Sequence, residues 1–140
     1  MNYKITTIAI TTTLALTLLA ATAADTKLDA SKLPPASTAK GVTYAKDIKP
    51  IFETSCVKCH HGEKAKGKLH LDSLEGVIKG GKEAPNIIPG KSGDSTLVYA
   101  VAHLGDEDDF MPPPKNKANI APLTPAQIGL LRAWIDQGAK

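Results

Sequence analysis

Cys56 and Cys59 are the two cysteines of this 140-residue chain, and His60 directly follows the second in the stretch Ser55-Cys56-Val57-Lys58-Cys59-His60-His61-Gly62. Two thiols and an imidazole this close suit three chemistries: a dithiol–disulfide pair, part of a metal site, or covalent attachment of haem through thioether bonds. As a structural staple, a Cys-x-x-Cys bridge closes so short a loop that it constrains the unfolded chain little. A thioredoxin-like redox pair belongs where a strand enters a helix in a βαβ pattern, whereas the segment before Cys56 reads as helical and no parallel strands follow. A closed zinc site needs four ligands. Cys56, Cys59, His70 and His103 can be assembled on paper, but their spacing matches no common finger.

Haem accounts for more of the pattern. Each cysteine sulfur can add to one vinyl group, and the two-residue gap lets one helical turn present both thiols to one porphyrin edge. His60 then falls beneath the iron as its proximal ligand. A methionine thioether opposite a histidine raises the reduction potential, and beyond the initiator the chain has one methionine, Met111. It stands in Asp109-Phe110-Met111-Pro112-Pro113-Pro114, where prolines fix φ and disfavour helix, so the spacing predicts a stiff extended loop carrying a distal ligand. A methionine filling a core gap is the alternative. His103 competes for the same iron position from a predicted helix over Ser95–Leu104, and bis-histidine ligation would lower the potential. His70 is a weaker competitor, and His61 reads as exposed in a turn closed by Gly62.

The haem reading requires export, and the N-terminus supplies a signal for it. An uncharged run from Ile5 to Ala24 follows Lys4, and the first acid is Asp25. Ala21-Thr22-Ala23 offers an A-x-A cleavage site, so residues 1–24 are expected to be a signal peptide. Retention as an anchor is the less favoured option, since roughly 20 residues can cross a bilayer. Asp25 to Lys40, with Pro34-Pro35 and no apolar periodicity, reads as a flexible linker. Residues 41–140 then form one small domain, expected to be periplasmic or otherwise exported. The formal charge of +3 falls by one if Lys4 leaves with the signal, which excludes the basic footprint of a nucleic-acid binder.

Helical elements must position the motif. Tyr44, Ile48, Ile51 and Phe52 recur at helical spacing before it. Pro50 is tolerated if Asp47 is the N-cap; otherwise the helix starts earlier and kinks. After it, Leu123-Thr124-Pro125-Ala126-Gln127-Ile128 combines a Thr124 N-cap, Pro125 in the first turn, Gln127 to complete a capping box and a Leu123–Ile128 staple. Ile128, Leu131, Trp134 and Ile135 continue the apolar stripe, and Gly138 ends it. Between these helices, Gly67–Asp72 alternates like a short strand, and Ser73–Val77 reads as a helical turn before Gly80-Gly81. Ile87-Ile88-Pro89-Gly90 reads as a turn whose proline carbonyl can accept the His60 Nδ1 proton.

Taken together, Cys56-x-x-Cys59-His60, Gly67-x-Leu69-x-Leu71-Asp72, Gly80-Gly81, Pro89-Gly90, Ser95-x-Leu97, Met111-Pro112-Pro113 and Leu123-Thr124 through Trp134-Ile135-Asp136-x-Gly138-Ala139 resemble the planctomycete-type cytochrome c domain of the class I cytochrome c superfamily. The resemblance implies a mainly α, small single-domain fold wrapped around one covalently attached haem c. Cys56 and Cys59 would be its thioether sites, His60 its proximal ligand and Met111 its distal ligand. The expected function is an exported monohaem electron carrier rather than an enzyme, exchanging electrons with redox protein partners, with no nucleic acid and no membrane insertion after signal cleavage. The alternatives are a peroxidase-like haem enzyme or a gas or redox sensor with an open or labile sixth iron position. Lys58, Lys64, Lys66 and Lys68 can form a docking face for an acidic partner. Asp106-Glu107-Asp108-Asp109 lacks the ligand spacing of a calcium loop and reads as solvated charge or a contact for a basic partner.

Overall fold

The computed structural model describes residues 28–82 and 85–140, and the predicted signal peptide lies outside them. The described chain is mainly helical, and no strand occurs among the described residues. Four α-helices carry it: α1 (Lys49–Ser55), α2 (Leu74–Lys79), α3 (Thr96–Val101) and α4 (Pro125–Asp136). Short 3₁₀ turns at Ala30–Lys32, Lys66–Lys68, Ser92–Asp94 and Glu107–Asp109 connect or precede them.

The helix leading to the cysteines starts earlier than an Asp47 cap would allow. Thr43 is the cap, its side chain accepting from the Lys46 N–H, while the Asp47 carboxylate accepts from the Thr43 N–H at 2.8 Å. The first turn, Tyr44–Ile48, is π-helical, with the Lys49 N–H reaching back to the Tyr44 carbonyl. Pro50 explains the widening: it has no N–H to donate, and its ring would press on the carbonyl four residues earlier in a regular α-helix.

The core lies between this helix and α4. Trp134, Ile48, Phe52, Leu131 and Ile135 are fully or almost fully buried. The Tyr44 ring packs between Phe52 and Trp134, with centroids at 6.3 and 6.0 Å, and its hydroxyl donates to the Leu71 carbonyl at 3.2 Å. The capping box and the first-turn proline of α4 are realised: the Thr124 side chain accepts from the Gln127 N–H, the Gln127 side chain accepts from the Thr124 N–H, and Pro125 opens the helix. Gly138, at φ +99°, turns the chain out of the helix, a conformation open to glycine at little steric cost.

Two sequence expectations change. Over residues 28–40 the stretch read as a flexible linker is laid along α4. Leu33 is buried, the Ser37 N–H donates to the Gly129 carbonyl at 2.8 Å, and Arg132 donates to the Pro34 carbonyl. Beyond the short turn at Ala30–Lys32 the segment has no regular element, and it lies against α4 because a helix face supplies its partners and Gly129 has no side chain to obstruct Pro35. The second change is at Gly67–Asp72, where no strand forms. Leu69 and Leu71 do turn inward, but the Leu71 N–H is taken by the His60 carbonyl at 2.9 Å rather than by a neighbouring strand. Alternation here records two inward side chains on an extended loop.

Candidate functional site

Helix α1 ends at Ser55, so the Cys-x-x-Cys-His motif sits in the tight turn after it. The Cys59 and His60 amides both donate to the Cys56 carbonyl, at 3.0 and 3.1 Å. Cys59 lines a crevice of about 420 Å³, whereas Cys56 is buried among the core side chains. Burial pushes the Cys56 thiol up to about 12, with the neighbouring Cys59 adding to the effect.

His60 forms a wall of the same crevice. The loop after it folds back on itself: the Lys66 N–H donates to the Cys59 carbonyl at 3.0 Å, and the Lys66 carbonyl stands 3.1 Å from His60 Nδ1. The expected partner from the Pro89 turn is therefore replaced by the motif's own loop. That turn instead joins α4, the Gly90 N–H donating to the Ile135 carbonyl at 2.7 Å. Gly67, at φ +61°, lets the loop reverse and aim the Lys66 carbonyl inward. With Nδ1–H donating to that carbonyl, Nε2 is the nitrogen left with a lone pair. Burial holds the His60 imidazole below its usual basicity, partly opposed by the backbone hydrogen bonds, so at neutral pH it is the uncharged form that a metal requires.

The far wall is the loop that carries Met111. A 3₁₀ turn, Glu107–Asp109, capped by Asp106, leads into Phe110 and Met111, both on the crevice lining with Pro113. The Met111 N–H donates to the Ala100 carbonyl of α3 at 3.0 Å. That carbonyl lies in the last turn of α3 and also accepts from the His103 N–H at 3.3 Å. Asn116 closes the loop behind the prolines, donating to the Pro113 and Ile120 carbonyls at 3.0 and 2.9 Å and accepting from the Ile120 N–H at 2.8 Å. The crevice lining carries both signs of charge, Lys66 and Lys82 together with Asp108 and Asp109.

The other histidines stand apart from the crevice lining. The helix predicted over Ser95–Leu104 stops at Val101, because the chain turns left-handed at His103, φ +52°. The His103 ring stacks on Phe110, centroids 4.7 Å apart and 6° from parallel, and its Nε2 is buried without a hydrogen-bond partner. His61 is exposed and His70 half-buried. Cys56, Cys59, His70 and His103 are not brought together as a zinc site: among the described residues no group of three or more His, Cys, Asp or Glu side chains could hold a metal ion. Nor is any described helix long and apolar enough to cross a membrane.

The Lys66 carbonyl, Asn86 and Asn116 are absent from the sequence reading. Asn86 accepts from the Gly81 N–H at 2.8 Å through its side chain and from the Leu97 N–H at 3.0 Å through its carbonyl, tying the crevice wall to α3. The only available signal was an asparagine in a loop, which is common to many turns.

Residues 56–115, from the first cysteine to just beyond the Met111 prolines, match the family model described as Planctomycete cytochrome C, which bears out the planctomycete-type resemblance over that stretch. No curated protein and no solved structure matches the chain.

Proposed function

We propose, with residues 56–115 taken as a planctomycete-type cytochrome c segment, that this chain is an exported monohaem electron carrier. In this reading Cys56 and Cys59 hold haem c covalently, His60 is the proximal ligand and Met111 the distal one. The observation that carries it is the crevice itself, where Cys59, His60 and Met111 share one lining although Met111 lies far along the chain. Haem, when bound, supplies a one-electron couple whose potential a histidine–methionine pair sets high.

The chain's own residues do the rest. The Lys66 carbonyl holds the His60 proton on Nδ1 and so directs Nε2 into the crevice. Ala100 anchors the Met111 backbone, which limits how far the thioether can wander. Leu69, Phe110 and Pro113 supply apolar lining that would limit water beside a bound haem, where a lower local dielectric would disfavour the more highly charged oxidised state. Cys56 is buried within the core cluster, so its thioether would fasten the haem to the packed half of the molecule. Redox protein partners would meet the mouth of the crevice, whose lining includes Lys66, Lys82, Asp108 and Asp109.

The test is the visible spectrum of the purified exported protein, oxidised and reduced, with a pyridine haemochrome assay. A c-type haemochrome with the weak red iron–sulfur band supports the carrier. Its complete absence from exported, intact protein would refute haem attachment. A Met111→Ala variant should lose the red band and keep the haemochrome.

A further inference from the structure

Lys66 and Lys82 line the crevice together with Asp108 and Asp109, and the backbone shows how the two cations come to adjoin. The Lys82 N–H donates to the Gly67 carbonyl at 2.8 Å, which joins the turn after His60 to the turn after α2. A Cβ at Gly81 would meet that same carbonyl oxygen at 2.8 Å, so glycine there permits the approach. Asn86 braces the junction. Its Oδ1 accepts from the Gly81 N–H at 2.8 Å, which leaves the amide nitrogen as the donating end of a side chain that also lines the crevice. The two aspartates arrive separately, on the 3₁₀ turn that leads to Met111, and among the described residues no ion pair joins either lysine to either aspartate. We propose that Lys66, Lys82 and Asn86 form a seat for the two carboxylates of haem, and that Lys82 raises the reduction potential of the iron. This rests on the haem reading above.

Like charges on adjoining backbone segments repel, and an anion between them turns that repulsion into attraction. A hydrogen bond from an ammonium to a carboxylate is about twice as strong as a neutral one, and the Asn86 amide adds a neutral donor beside the two cations. The occupant's class follows from the whole lining. Leu69, Phe110, Met111 and Pro113 are apolar, which suits an apolar ring bearing acids better than a small free anion. Asp108 and Asp109 repel a carboxylate, so the ring's acids point toward Lys66 and Lys82 and away from the Glu107–Asp109 turn. Lys66 has a second tie to the site, because its own carbonyl stands 3.1 Å from His60 Nδ1. The turn that orients the imidazole therefore also carries one of the cations. A positive charge beside the ring disfavours the more positive oxidised iron and so raises the potential. Lys82 is exposed and takes no part in the His60 hydrogen bond, so its charge can be changed without disturbing the proximal side.

The test uses the haem-loaded full chain, with the midpoint potential read from a spectroscopic redox titration and the haem carboxylate bands from reduced-minus-oxidised infrared difference spectra. Lys82→Ala should lower the potential and displace a carboxylate band. Lys82→Gln, which keeps more of the side chain, should do the same, and Lys82→Arg should restore both. Lys66→Ala should also displace a carboxylate band. The control is Lys79→Ala, which removes an exposed charge from the end of α2, close in sequence to Lys82 but outside the crevice lining. Its potential shift should be less than about half that of Lys82→Ala, with the carboxylate bands unmoved. Equal potential shifts in Lys79→Ala and Lys82→Ala, or carboxylate bands that ignore either Lys66 or Lys82, overturn the inference while the carrier reading stands. A chain that yields no c-type haemochrome refutes the carrier reading itself, and the inference falls with it.

Discussion

The half of the molecule built on α4 and the half that forms the crevice are held together differently. Around α4 the polar groups near the core have partners: the Trp134 indole donates to the Lys140 carbonyl at 2.9 Å, and Asp136 accepts from both the Ser92 N–H and its hydroxyl, at 2.8 and 3.0 Å. Around the crevice the walls are turns and loops, and outside its lining, stacked on Phe110, His103 Nε2 is buried without a hydrogen-bond partner. One half is a finished scaffold. The other encloses a crevice of about 420 Å³ lined by Cys59, His60 and Met111. Substitutions should therefore cost much in the first half and little in the second.

The largest effect is expected at Trp134. It is fully buried and packs on Tyr44, so Trp134→Ala removes a large ring from the centre of the scaffold and should lower stability by about 3–5 kcal/mol. Urea unfolding measures it. A loss below about 1 kcal/mol would mean that the α4 half is not the stabilising one.

Next is the segment along α4. A Cβ at Gly129 would meet the Pro35 carbonyl oxygen at 2.7 Å, a backbone atom that cannot step aside alone. Gly129→Ala should cost about 1–3 kcal/mol and expose residues 30–38 to limited proteolysis, while the visible spectrum of the haem-loaded protein stays the same. If protease resistance is unchanged, residues 28–40 are not held as described.

The same contrast governs what could be read from the sequence. The limits of α4 were legible because caps, proline and glycine act locally: Thr124, Gln127 and Gly138 each mark a boundary through their own backbone chemistry. Cys59, His60 and Met111 were legible by residue type. Non-local partners were not. Pro50 signalled trouble in its helix without revealing that the turn before it widens, and the carbonyl facing His60 was misassigned because any loop can offer one. The 28–40 segment was misread because its order comes from Gly129 and Arg132, nearly a hundred residues away. Cys56 and Cys59 look alike in the motif, and only the packing of Phe52 and its neighbours separates a core thiol from a crevice thiol.

A smaller effect comes from His60 in the haem-free chain. Its imidazole is held below the ordinary value of 6.5, chiefly by burial, so the unfolded chain binds the proton more readily than the folded one. Stability from this group is complete above the unfolded value and is lost as pH falls through it toward the lower folded value. Urea midpoints of haem-free protein should drop between about pH 7 and pH 5, and His60→Gln should remove part of that slope. A slope that survives intact in His60→Gln would assign the dependence to another group.

The smallest effect, and the sharpest contrast with Trp134, is expected at His103. This residue occupies the left-handed position that ends α3, where glycine is preferred and a side chain is disfavoured by about 1–2 kcal/mol. Its unpartnered Nε2 adds a desolvation penalty of about 1–3 kcal/mol. Against these stand the stack on Phe110, about 0.5–1.5 kcal/mol, and the greater chain entropy that glycine gives the unfolded state, about 0.5–1 kcal/mol. The terms oppose one another, so His103→Gly should leave the haem-free protein within about 1 kcal/mol of the parent, or slightly more stable. The haem-loaded protein makes the stricter comparison. If His103 is only a tolerated stack behind Phe110, the variant keeps both its stability and the iron–sulfur band. A loss above about 2 kcal/mol confined to the loaded form would mean that Nε2 gains a partner once the crevice is filled, and the orphaned nitrogen would then belong to the site.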